Sequence, residues 1–170
     1  NGQIILQDSL TLIATGGSTV VFGDLDMSGS GSNNDDFTIT GTDDVTISGV
    51  IEADTGAAEL NHNGTGTLLL SGDNDSAVNQ MMINIGNTGV IEVSDAKGLG
   101  DDPTGAYPDK INFLANGELY NTIDVDLTSD AGITIANGVT ANLRQGSGTS
   151  IELTVNGVIS DGGANDGQLK

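Results

Sequence analysis

Oxygen-bearing side chains crowd the bends of this chain. Asp73-Asn74-Asp75 puts three in one turn, and Asp35-Asp36, Asp43-Asp44 and Asp101-Asp102 form pairs between apolar segments. Hard oxygen ligands at a bend are what Ca²⁺ takes. Asp73, Asn74, Asp75, Asp101 and Asp102 are therefore the candidate metal ligands, with calcium as the cation and no cofactor required. A solvated acidic surface is the competing explanation of the same residues.

Catalytic constellations are harder to assemble. His62, the one histidine, lies in Asn61-His62-Asn63-Gly64, which reads as a polar turn. Without a cysteine or second histidine it makes a poor metal site. Any Ser-His-Asp triad would have to use it, and no nucleophile elbow is present. Acidic residues are plentiful enough for a carboxylate pair acting on a glycosidic bond. Many β-helical proteins act on polysaccharides, and a groove lined by several acids plus an Arg or Lys would mark such an enzyme. The four basic residues, Lys97, Lys110, Arg144 and Lys170, are scattered along the sequence, so no catalytic residue is assigned and no enzyme is expected.

The elements that would position these groups are short strands. In Thr67-Leu68-Leu69-Leu70 and Ile83-Asn84-Ile85, and again in Ile91-Glu92-Val93, apolar residues recur every second position. That period marks half-buried β-strand and nothing helical. Gly, Asn and Asp corners separate the strands at short intervals and tolerate positive φ. Similar strands are expected from Ile4 to Leu6 through Val158-Ile159, interrupted by two long loops, Ser28 to Asp36 and Gly98 to Asp109, the second holding both prolines. Between Ser76 and Ile85 one turn of helix is the only helical candidate.

The run Gly66-Thr67-Leu68-Leu69-Leu70-Ser71-Gly72-Asp73-Asn74, followed by Gly89-Val90-Ile91-Glu92-Val93 and Ala96-Lys97-Gly98-Leu99-Gly100, resembles the autotransporter-associated β-strand repeat of bacterial passenger domains and large adhesins. Asp75-Ser76-Ala77 stands where that family usually has Tyr-Thr-Gly. The resemblance implies a right-handed parallel β-helix on a bacterial cell surface, with a structural motif that brings no catalytic residues. The fold expected is all-β, a right-handed parallel β-helix (solenoid) with turns of roughly 20–25 residues; a β-sandwich is the rival. Residues 1–170 are expected to be a single β-helix segment, part of a longer chain or fibre. Weak self-similarity, Asn1-Gly2-Gln3-Ile4 with Asn116-Gly117-Glu118-Leu119 and Val45 to Ile51 with Leu153 to Ile159, divides it into about one and a half copies of a larger unit (1–115, 116–170).

Composition bounds the partners. A net charge of -20 leaves no basic face for nucleic acid or an anionic membrane. No stretch has the length and apolarity of a membrane-spanning helix. Cysteine is absent, so no disulfide chemistry is available. Regularly spaced Val, Ile and Leu argue against disorder despite 26 glycines. Together with the resemblance, which implies a cell-surface location, the expectation is an extended scaffold of a secreted or surface-displayed adhesin or autotransporter passenger. The first alternative is a calcium-stabilised, self-assembling extracellular filament or surface-layer subunit. The second is a polysaccharide-acting enzyme. Expected partners are neighbouring copies or the rest of the chain stacked end to end, and surface glycans or proteins met through the loops.

Overall fold

A computed structural model describes residues 2–28, 35–53, 58–74, 81–100, 107–128, 131–148, 150–161 and 168–169. Among them every pairing between strands is parallel and no helix occurs. The molecule is a parallel β-helix. A β-sandwich would need antiparallel neighbours, and that alternative is set aside.

Three faces wind in a fixed order. The first face stacks β2 (Leu10–Ala14), β5 (Phe37–Gly41), β8 (Glu59–His62), β10 (Met82–Ile85), β12 (Tyr107–Phe113), β15 (Ala131–Ile135) and β18 (Ile159–Asp161). The second stacks β3 (Val20–Phe22), β6 (Val45–Ile47), β9 (Thr67–Leu70), β11 (Val90–Val93), β13 (Gly117–Asn121), β16 (Thr140–Gln145) and β19 (Gln168–Leu169). The third face is broken. It has β1 (Ile4–Ile5), β4 (Leu25–Met27) and β7 (Ile51–Ala53) in one sheet, and β14 (Val125–Leu127) with β17 (Leu153–Val155) in another.

Alternation along each strand sends one set of side chains inward, and the parallel register stacks them. Phe37, Leu60, Ile83, Ile111 and Ile133 form one interior column, and Val45, Leu68, Ile91 and Leu119 another; all are essentially inaccessible to water. Each such side chain contributes about 1.5–3 kcal/mol by leaving water. The narrow interior takes few aromatic rings; Phe22 and Phe37 meet edge to face at 5.8 Å. Turn length varies little, from the step of Ile4 to Leu25 to the step of Ile83 to Ile111. A glycine stacked on a glycine lets two turns approach closely: a Cβ on Gly72 would stand 1.8 Å from the Gly49 carbonyl oxygen.

Two expectations change. Residues 107–109 belong to β12, although Pro108 placed them in a loop; a register shift between Tyr107 and Ile111 accommodates the residue that cannot donate to the ladder. The self-similar segments lie on different faces: Ile4 is on the third and Leu119 on the second, while Val45–Ile47 is on the second and Leu153–Val155 on the third. Met82–Ile85 is strand, and the remainder of the helical candidate, apart from Met81, lies outside the described residues.

The first turn differs from those above it. Outward on its three faces stand Ile5, Ile13 and Val21, 56%, 68% and 51% exposed, in register with Asp26, Thr40 and Thr46 of the next turn.

Candidate functional site

Of the proposed calcium ligands, Asp75, Asp101 and Asp102 lie outside the described residues. Asp73 is exposed, but Asn74 beside it is turned inward and buried. The Ile51 N–H donates to Asn74 Oδ1 at 2.7 Å, and Asn74 Nδ2 donates to the Gly98 carbonyl at 2.8 Å. One side chain thus ties together three successive turns where the third face has no strand, replacing ladder bonds with amide bonds. Asn74 is a strut, and its oxygen is engaged by the Ile51 N–H. Among the described residues no three His, Cys, Asp or Glu side chains converge as a metal site.

The corner acids serve the same purpose. Asp24 Oδ1 accepts from the Val50 N–H (3.0 Å), Asp44 Oδ1 from Thr67 (2.8 Å) and Asp124 Oδ1 from Glu152 (2.8 Å). Asn116 Oδ1 accepts from Thr140 in the same way, at 2.8 Å. Asp43 reaches back one turn, its Oδ2 accepting from Gly17 and Ser18. Each carboxylate meets a backbone donor at the mouth of a neighbouring strand, a charge-assisted bond stronger than a neutral one. Asp36 accepts from the Glu59 N–H, while burial and the Glu59 carboxylate push its pKa up. Much of the chain's acidity is therefore used in joining turns.

Outward polar residues on the first face form a ladder. Thr11, Thr38, Asn61, Asn84, Asn112, Thr134 and Ser160 are in register. Asn112 Nδ2 donates to Asn84 Oδ1, and Asn84 Nδ2 to Asn61 Oδ1, both at 2.8 Å.

A groove of about 330 Å³ opens on the third face, beside the break in its sheet. Ala96, Lys97 and Gly100 form one bank; Asp124, Asp126, Glu152 and Thr154 line the other. Three carboxylates against one ammonium leave it acidic. Asp126 Oδ1 also accepts from Asn156 Nδ2 at 2.9 Å. Next to it a small cavity is lined by Lys110, Asp126 and Thr128, with the Lys110 side chain buried against Gly100. Lys97 and Lys110 thus come near carboxylates that lie far from them in sequence, an encounter that no spacing along the chain announces.

His62 sits in the core, contrary to its reading as part of a polar turn. It ends β8 with its side chain in the interior column between Ile39 and Ile85. Nε2 donates to the Gly66 carbonyl at 2.9 Å, which fixes the neutral tautomer, while Nδ1 is buried with no partner. Burial lowers its pKa, opposed by the Gly66 bond. On the second face Arg144 lies over the Tyr120 ring, 3.6 Å from its centre, and pairs with Glu118, whose bond raises the guanidinium pKa.

Comparison with known proteins finds no matching family model, no similar curated protein and no similar solved structure.

Proposed function

We propose that the chain is an extended structural scaffold, a β-helical section of a bacterial surface adhesin or autotransporter passenger. The observation that carries this reading is the use made of polar side chains: Asn74, Asp24, Asp44, Asp124 and Asn116 are spent on joining one turn to the next. The resemblance of Gly64 to Gly100 to the autotransporter-associated repeat supports the surface location. Electron microscopy of the purified chain with and without millimolar calcium tests it. Isolated short rods in both conditions are expected. Regular filaments would transfer the function to self-assembly, for which the exposed Ile5, Ile13 and Val21 are the supporting observation, and filaments only with calcium would put the Asp-rich loops at the joints.

A second reading, action on a polysaccharide, is favoured by the groove that sets Asp124, Asp126 and Glu152 opposite Lys97. Incubation with acidic and neutral polysaccharides, followed by assay for new reducing ends and unsaturated products, decides it. Turnover that Asp126→Asn abolishes would replace the scaffold reading.

A further inference from the structure

Strand β14 is the point where the third face resumes after its break, and its two edges are unequal. On the upper edge the Val125 N–H donates to the Glu152 carbonyl at 2.9 Å, and the Asn156 N–H donates to the Leu127 carbonyl at 2.7 Å. In a parallel ladder the residues bonded to one neighbour alternate with residues whose N–H and C=O face the other way. Asp126, between Val125 and Leu127, therefore turns its N–H and C=O toward the lower edge, where the groove opens. Across the groove the described residues offer no strand. Gly98 and Gly100 bond back to Asp95 and Lys97 in tight turns, and among the described residues no backbone bond joins 95–100 to β14.

The other side of the break is closed differently. There the Ile51 N–H of β7 is met by Asn74, whose amide also reaches Gly98. The lower end of the gap is filled with a side chain; at the upper end, among the described residues, no backbone partner meets the Asp126 N–H and C=O on the groove side.

We propose that this groove is a β-augmentation site, in which an extended peptide carrying basic side chains pairs with the lower edge of β14. The mode gives affinity through main-chain bonds and specificity through alternate side chains. Asp124, Asp126 and Glu152 supply the charge complementary to lysine or arginine, and Lys97 on the opposite bank disfavours a uniformly cationic ligand. This goes beyond the scaffold reading and does not depend on it.

The test uses the 170-residue chain and a fluorescent synthetic peptide that alternates Lys with Val and Thr and ends in Glu. Its control has the same sequence with alternate backbone nitrogens methylated, which keeps the charge and removes strand pairing. Anisotropy titration at physiological salt is expected to show binding of the parent peptide and a loss of about tenfold or more for the methylated one. Asp126→Pro removes a donor that faces the groove and no bond to β17, and is expected to weaken the parent peptide to a similar degree. Asp124→Lys with Asp126→Lys should do the same, whereas Glu92→Lys on the second face should not. Circular dichroism and thermal melting report whether each variant folds; if Asp126→Pro does not, the methylated peptide still decides. Equal binding of the two peptides, binding unaffected by a folded Asp126→Pro, or no binding overturns the proposal. Displacement of the peptide by an oligosaccharide that binds better overturns it in favour of a saccharide site.

Discussion

Asn74 and His62 show how much a single side chain carries in a fold one strand thick. Replacing Asn74 by Ala removes two buried bonds and strands the Ile51 N–H, at a cost of about 1–3 kcal/mol for each group left unpaired. Urea denaturation of Asn74→Ala should show a lower midpoint with little change in slope; an unchanged midpoint would mean that the strut is dispensable. Because burial lowers the His62 pKa, the folded protein resists a proton that the unfolded chain accepts. The stabilising contribution is complete above about 6.5, the ordinary histidine value, and is lost as pH falls from there through the folded-state value. His62→Leu is expected to be weaker at neutral pH, since Gly66 loses its donor, yet to have a flatter stability profile below pH of about 6.5. Parallel profiles for the two proteins would remove His62 as the source of acid sensitivity.

At the level of the element, the asparagine ladder ranks its own members. Asn84 accepts from Asn112 and donates to both Asn61 and Glu59, whereas Asn61 meets one rung of the ladder. Asn84→Ala should therefore destabilise more than Asn61→Ala, by about 1 kcal/mol, as equilibrium unfolding would report. Equal effects would show that the amides act independently. This ladder also marks what could be read in advance. Strands from Leu10 to Val155 were legible because apolar residues alternate with Thr, Asn and Glu, and alternation is a local signal. The identity of the neighbour one turn away is not local, so the sequence could say that Asn84 faces outward but not that it meets Asn61 and Asn112. The same limit hid the role of Asn74, which looks in sequence like one of three exposed oxygen ligands. His62 was misread because its neighbours Asn61, Asn63 and Gly64 are polar, although its parity in β8 matches that of buried Leu60. The groove depends on a missing strand, and Ala96 to Gly100 gives no period from which to infer one.

For the molecule as a whole, the decisive property is that strands pair only with strands about one turn before or after them. Registers step from Phe37 to Leu60 to Ile83 to Ile111, and among the described residues no strand pairing joins turns farther apart. A linear array of this kind has a stability close to the sum of its turns and their interfaces. Pulled by its two termini, such a molecule meets force one rung at a time, as thread leaves a spool. Each rung from Ile83 to Ile111 or from Ile111 to Ile133 releases about 80–100 Å of chain when fully extended. Optical-tweezer traces should show a staircase of such lengths, with the Asn74 strut producing one of the higher peaks and Asn74→Ala lowering it. A single rupture releasing the whole contour at once would mean that the turns stand or fall together. If the staircase is found, the chain yields gradually under tension and lengthens many times over before its last rung lets go.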